Sequence, residues 1–222
     1  MAVEKVAVLG GTGAEGGGLA LRWGKAGIHV VVGSRDAERA KRAAEGYSQR
    51  LPGATFEGLH NPEAVASCDL VVLTVPFNGQ AALCKSIAGS LADGAVVVDC
   101  TVPVAASVGG KPTQVLGVPG GSAAQHAKSL LPDHVTVCSA FHSLSASALE
   151  DLDSGLEGDV LACGPRSGKE RVGELVEAMP DLRFVDAGGL SMSGIVESIT
   201  ALLIGINRRY GTDRSGVRIT GI

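Results

Sequence analysis

The turn Gly10-Gly11-Thr12-Gly13-Ala14-Glu15-Gly16 sets Gly11, Gly13 and Gly16 at GxGxxG spacing, directly after the apolar run Val6 to Leu9 and at the start of a segment with helical character. A strand that turns on glycine into a helix leaves free backbone amides and the positive end of the helix dipole facing outward. That arrangement suits a pyrophosphate. The glycines let the backbone turn tightly and approach the phosphates, the amides receive the phosphate oxygens, and the Thr12 hydroxyl adds a donor. Glu15 stands in the same loop, where a small or apolar residue would be kinder to an anion.

The second informative position lies about 20 residues beyond the glycine turn, where dinucleotide-binding domains that select NAD place an acidic residue for the ribose hydroxyls. Here the second apolar run ends in Gly33-Ser34-Arg35. A hydroxyl followed by a guanidinium suits a 2′-phosphate, because Ser34 can donate to it and Arg35 can make a charge-assisted bidentate contact and stack on the adenine. Arg39, one helical turn on, adds a second positive charge, and Asp36 is read as the N-cap of the next helix. These residues predict NADP(H) as the cofactor. Thr74-Val75-Pro76 and Asp99-Cys100-Thr101-Val102-Pro103 each end an apolar run at what should be the carboxyl edge of the sheet, so Thr74, Pro76 and Val102 are expected to line the cofactor crevice; the two prolines serve equally well as purely structural turns.

Elements that hold these residues follow from the patterning. Short β-branched runs at Lys5 to Leu9, His29 to Gly33, Thr55 to Leu59, Leu70 to Val75, Ala95 to Cys100 and Val135 to Ala140 alternate with helical segments at about Gly16 to Ala26, Ala37 to Arg50, Gln80 to Leu91 and Ala123 to Leu131. This predicts an α/β fold, a Rossmann-type doubly wound parallel sheet over residues 1–145. The Gly, Pro, Ser and Thr-rich stretch from Val102 to Gly121 reads as a long loop with no element of its own. Residues 146–222 then read as a small C-terminal α/β extension: a strand near Val160 to Cys163, a helix from Lys169 to Ala178, a strand at Arg183 to Val185 and a strongly apolar helix from about Leu190 to Arg208. The apolar helix is expected to be buried against the sheet or a second copy of the chain, which predicts a homodimer.

The 222 residues, with 45% hydrophobic, 19% charged and 32 glycines, fit an ordinary soluble α/β protein. A net charge of −4 argues against a nucleic-acid partner held by phosphate neutralisation. The N-terminus lacks a basic region followed by an apolar core, and Val6 to Leu9 is too short to span a bilayer, so a cytoplasmic protein without a membrane role is expected. Cys68, Cys84, Cys100, Cys138 and Cys163 form no CxxC pair and no zinc-spaced cluster, and are read as small buried apolar residues; no metal is expected.

Four segments in the second half carry a resemblance: Gly121-Ser122-Ala123-Ala124, Ser139-Ala140-Phe141-His142-Ser143-Leu144-Ser145-Ala146, Asp186-Ala187-Gly188 with Leu190, and Glu197-Ser198-Ile199-Thr200-Ala201-Leu202-Leu203 with Asn207. Together with Gly10 to Gly13, Gly33 to Arg35, Thr74 to Pro76 and Val102 to Val104, they make nearly the whole chain resemble the NADP-dependent reductases of the deazaflavin coenzyme F420. The resemblance implies that Thr12, Gly13, Ala14, Glu15, Ser34, Arg35, Arg39, Pro76, Val102 and Ala146 contact NADP, and that Ser122, His142 and the segment near Gly216 face the deazaflavin. It also implies direct hydride transfer between two stacked rings, with coenzyme F420 as co-substrate, for which no protein nucleophile is needed. His142, just past the sixth strand, fits either a residue that orients the deazaflavin or a satisfied structural histidine. Two readings compete: an NADP-dependent reductase of a flavin, quinone or other small acceptor, and a non-catalytic NADP-sensing module.

Replacing Arg35 by Ala is expected to weaken NADPH binding by about 1.5 to 3 kcal/mol, the scale of one charge-assisted hydrogen bond, with little change for NADH in a paired binding titration. Equal losses for both nucleotides would remove the 2′-phosphate assignment.

Overall fold

In a computed structural model, which describes residues 3–222, six parallel strands form one sheet in the order β3-β2-β1-β4-β5-β6. They are β1 (Lys5–Leu9), β2 (His29–Ser34), β3 (Phe56–His60), β4 (Leu70–Leu73), β5 (Val96–Asp99) and β6 (Thr136–Ser139). The two-residue side-chain period of a strand sorts their apolar residues to opposite faces. Val6, Val8, Val30, Val32, Val72 and Val98 share one core, while Ala7, Leu9, Val31, Val71, Leu73 and Val97 share the other. Both faces are dry, so the strands read as continuous β-branched runs. The chain order reverses between β1 and β4, and the crevice at their carboxyl ends is where open sheets of this topology take ligands.

Helix α1 (Ala14–Lys25) leaves the glycine turn and buries Leu19, Ala20 and Trp23. Trp23 donates from Nε1 to the Leu175 carbonyl at 3.0 Å and meets Phe141 edge-on, with ring centroids 5.7 Å apart. Helix α2 (Ala37–Arg50) starts on Asp36, whose carboxylate accepts from the Arg39 amide at 3.1 Å, the capping role expected of it. Gly58 of β3 lies against the α2 backbone at Ala40 and Lys41, so close that a Cβ there would overlap it. The absence of that carbon sets how near α2, and with it the Ser34-Arg35 corner, comes to the sheet.

Two short helices escape sequence patterning. Helix α3 (Asn61–Ala66), with Pro62 in its first turn, has 6 residues, too few to show a 3.6-residue period. The remaining helices of the first half are α4 (Phe77–Ile87), which begins one turn earlier than the apolar pattern indicates because Pro76 supplies its N-cap, and α5 (Ala123–Leu130), capped by the Ser122 hydroxyl accepting from the Gln125 amide at 3.0 Å. The second missed helix, α6 (Ala146–Glu150), is capped by Ser145 and packs on α1. The stretch from 102 to 121 is not wholly irregular, contrary to expectation: it holds a short 3-10 turn at Ala105–Val108 and an antiparallel bridge between Val104 and Val115.

The C-terminal segment forms a parallel pair, β7 (Gly158–Ala162) and β8 (Leu182–Asp186), connected by α7 (Arg166–Glu177), and ends in α8 (Ser193–Tyr210). It joins the main sheet through reciprocal backbone bonds between Ser139 and Cys163 of 2.8 and 2.9 Å. Val160, Ala162, Val172 and Leu175 belong to the same core as Val6 and Val8. All five cysteines are buried and unpaired. By length and composition Leu190 to Tyr210 could cross a membrane, yet Val196, Ala201 and Leu203 are buried within the fold, and Ile195 and Leu202 lie exposed.

The same substitution should act with opposite sign at two glycines. Gly58→Ala forces α2 off β3 and is expected to destabilise by about 1 to 3 kcal/mol, whereas Gly46→Ala, inside α2 with open space around it, is expected to stabilise by about 0.5 to 1 kcal/mol. Urea unfolding of the two variants measures both.

Candidate active site

The glycine turn is held from three sides. The Gly10 amide donates to the Gly33 carbonyl at 3.2 Å, the Tyr47 hydroxyl of α2 to the Gly11 carbonyl at 2.6 Å, and the Thr74 hydroxyl of β4 to the Leu9 carbonyl at 3.0 Å. Gly10 takes φ +88°, a backbone conformation favourable only to glycine among common residues. Gly16 passes directly under Thr74, where a Cβ would collide with the threonine hydroxyl and the Gly10 carbonyl. Gly13 caps α1 without any side-chain bond, so the amides of Ala14, Glu15 and Gly16 have no intrahelical acceptor and no cap. Unclaimed amides at a helix start are what an anionic cofactor requires, and the residues present therefore fit a dinucleotide pyrophosphate.

At the end of β2 the Ser34 hydroxyl accepts from the Asp36 amide at 3.2 Å, while Arg35 and Arg39 are exposed and make no ion pair among the described residues. Since Asp36 is committed to capping α2, the corner presents a hydroxyl and two guanidinium groups.

A cleft of about 530 Å³ runs from the turn along the carboxyl edge of the sheet, and its walls include Gly13, Ala14, Glu15, Thr74, Pro76, Val102, His142 and Ala146. Eight residues singled out from sequence thus meet in one cleft, with Gly11, Thr12 and Gly16 forming the turn beside it. Gly216 lies elsewhere, in a groove of about 190 Å³ next to Ser143 and Leu144. Between the two is a hollow of about 330 Å³ bounded by His142, Ala146, Thr200, Leu203 and Asn207. Ser122 does not line any of these. It is 1% exposed and serves α5 as its cap.

Sequence reasoning missed Thr200 as a wall of the cleft; its hydroxyl donates to the His142 carbonyl at 2.8 Å and ties α8 to the loop after β6. It also missed a buried polar network beneath the cleft. Gln80 Nε2 donates to Asp99 Oδ2 at 2.7 Å, to Thr101 Oγ1 at 2.7 Å and to the Ala123 carbonyl at 2.9 Å. Glu197, 1% exposed, accepts from the amides of Ala123 at 2.9 Å and Ala124 at 3.1 Å. A lone carboxylate within an apolar helix was the available signal for Glu197.

The electrostatics follow from burial. Glu15 is partly buried at the cleft wall, and desolvation there, then the Asp99 charge, push its carboxyl up to about 8. Asp99 itself is raised to about 7 by burial against the opposing bonds from Thr101. Burial lowers His142 to about 4, against an opposing contact with the Asp99 backbone, and neither ring nitrogen makes a hydrogen bond of good geometry. At neutral pH the imidazole is therefore uncharged, with one donor and one acceptor on ring nitrogens that are themselves buried. An unpartnered buried ring at a cavity wall points to a ligand that completes it.

Residues 5–103 match the family described as NADP oxidoreductase, coenzyme F420-dependent. The chain is 41% identical over 225 residues to an F420-dependent NADP reductase of Methanothermobacter thermautotrophicus, covering 99% of this chain and 96% of that one. It is 39% identical to the F420-dependent NADP reductase of Methanocaldococcus jannaschii, covering 98% and 99%. In fold it is similar to a crystal structure from Arthrobacter sp. FB24, provisionally named an F420-dependent NADP-reductase, with TM-score 0.82 at 23% identity over 98% of this chain and all of that one (100%). A 3-hydroxyisobutyrate dehydrogenase of Mycobacterium tuberculosis shares the fold at TM-score 0.63 and 15% identity, with 94% and 66% covered. With relatives this similar along its whole length, the chain belongs to the family of F420-dependent NADP reductases.

Proposed function

We propose that this protein transfers a hydride directly between NADP(H) and the deazaflavin coenzyme F420. The observation that carries the reading is the continuity from the unclaimed amides of the glycine turn, through the cleft, to the unpartnered His142 ring and the adjoining hollow. When bound, the two coenzymes supply the redox chemistry, as hydride donor and acceptor held ring to ring. The protein's share is to bind, orient and dry them. The turn from Gly11 to Gly16 receives the pyrophosphate, Ser34, Arg35 and Arg39 receive the 2′-phosphate, and Thr74, Pro76, Val102 and Ala146 flank the nicotinamide end. His142, uncharged, donates a hydrogen bond to the deazaflavin ring and orients it. Residues 146–222 complete the deazaflavin site, and Gly216 borders it through the groove beside Ser143.

The protein acts in the cytoplasm, where a reducing medium suits its five buried, unpaired cysteines. Two copies associate through the exposed face of α8, where Ile195 is 63% and Leu202 62% exposed. Sedimentation equilibrium at micromolar concentration is expected to give twice the mass of the chain, and Leu202→Glu to return it to a single copy; a wild-type monomer would remove the dimer.

Mixing the protein anaerobically with NADPH and oxidised coenzyme F420 is expected to bleach the deazaflavin absorbance in step with NADPH loss, while flavin and quinone acceptors stay unreacted. Tight NADPH binding without turnover would instead favour a nucleotide sensor, and turnover with flavins or quinones alone would reassign the acceptor.

A further inference from the structure

Glu15 stands in the first turn of α1, where a carboxylate suits the helix dipole, and no side chain holds it there. Its carboxyl takes part in no hydrogen bond or ion pair among the described residues, and it lines the cleft between the unclaimed amides of α1 and the end of β5. No Lys or Arg stands in the walls of that cleft to neutralise it. Cations nearby are spent elsewhere: Arg22 of the same helix turns away to donate to the carbonyls of Leu149 and Ala148. A carboxylate in this position would sit beside the pyrophosphate of the bound nucleotide, two like charges in a site from which the nucleotide itself expels water.

We propose that Glu15 couples nucleotide binding to the uptake of one proton, so that NADPH is held with the Glu15 carboxyl in its neutral acid form. The inference rests on the nucleotide occupying the glycine turn. A protonated carboxyl removes the repulsion and can donate a hydrogen bond, whereas an ionised one can only accept.

Of the groups that face Glu15, Asp99 alone titrates close to the relevant pH range. Asp99, behind it on β5, titrates lower, at about 7, and once ionised it raises Glu15. Cys100, next on the same strand, is pushed well above its ordinary value by burial and then by the Glu15 charge. His142, across the cleft after β6, is lowered to about 4. Tyr47, from α2, is raised above the usual phenol value by burial. Free Glu15 titrates at about 8. The bound nucleotide adds negative charge and further desolvation, both of which raise that value in the complex.

The sign of the linkage follows. Below the free midpoint the carboxyl already carries its proton and affinity is independent of pH. Above it, binding must take up a proton, and Kd rises toward about tenfold per pH unit until the midpoint of the complex is reached. NADPH is the suitable probe, since its nicotinamide ring is neutral and the second ionisation of its 2′-phosphate, near a pKa of about 6, lies below the window.

The test is titration of the full chain with NADPH between pH 7 and pH 9.5, by calorimetry in two buffers of different ionisation enthalpy. About the midpoint near 8, the expected result is a flat Kd up to pH 7.5, a rise above pH 8, and an uptake approaching one proton at pH 9, all of which Glu15→Gln abolishes while still binding NADPH. Asp99→Asn, by removing the charge that raises Glu15, should move the rise to lower pH. A flat wild-type Kd, or a Glu15→Gln variant that keeps the slope, overturns the proposal. Failure to bind NADPH at any pH would overturn the nucleotide site on which it rests.

Discussion

Everything at the ligand edge of this protein depends on how closely the turn after β1 passes beneath β4. Gly16 sits where a single methyl group would strike the Thr74 hydroxyl and the Gly10 carbonyl. That hydroxyl is itself fixed by its 3.0 Å bond to the Leu9 carbonyl. The close approach aims α1 outward over the crevice and leaves the amides of its first turn facing the cleft. A side chain at Gly16 would lift the helix and the amides with it, and the effect would reach Trp23, whose indole bonds the far C-terminal segment at Leu175. An open helix start and core packing are thus properties of one helix, placed by one missing carbon.

Helix starts around the sheet are closed in different ways, and α1, α3, α4, α7 and α8 begin with no side-chain cap. Asp36 closes α2, Ser145 closes α6, and α5 is closed twice over, by Ser122 and by the buried carboxylate of Glu197. The last contact puts a protein anion where a ligand anion would otherwise fit, and makes α8 a structural partner of α5. Helix α1 starts on Gly13 with no such closure. Burying Glu197 costs desolvation that two amide donors offset, and in return α8 is fixed in register, so that Thr200 meets the His142 carbonyl and walls the cleft.

How much of this was legible in sequence depended on whether the determining contacts were local. The six strands announced themselves because burial on both faces leaves continuous β-branched runs, and the glycine spacing after Leu9 gained meaning from that context. Asp36 was readable as a cap because capping is a relation between near neighbours. Helices α3 and α6 left no period to detect, since both are shorter than two turns. Ser122 looked like a ligand contact by resemblance, and the fold uses it as a cap, because the partner that buries it, Glu197, lies 75 residues away in sequence and is brought in only by the packing of α8. The Asp99, Gln80 and Thr101 network was invisible for the same reason: its members come from β5, the turn after it and α4.

The cleft has an electrostatic character that no single motif conveyed. Its acids, Glu15 and Asp99, are both raised by burial, and its histidine is lowered. All three shifts favour the uncharged form, so Glu15 and His142 in the wall are mainly neutral at neutral pH and Asp99 beneath it is about half ionised. A hydride moves between two rings without a protein nucleophile, and such a step is served by a dry, weakly charged surface that holds both rings in contact and does not trap either charge state. The fixed charges of the site lie instead at its edge, on Arg35 and Arg39, which are exposed. That separation keeps fixed positive charge at the rim of the sheet and away from its centre. Asp99 and His142 do not form an acid and base pair: the Asp99 carboxylate bonds Gln80 and Thr101, and the His142 ring lies against the Asp99 backbone.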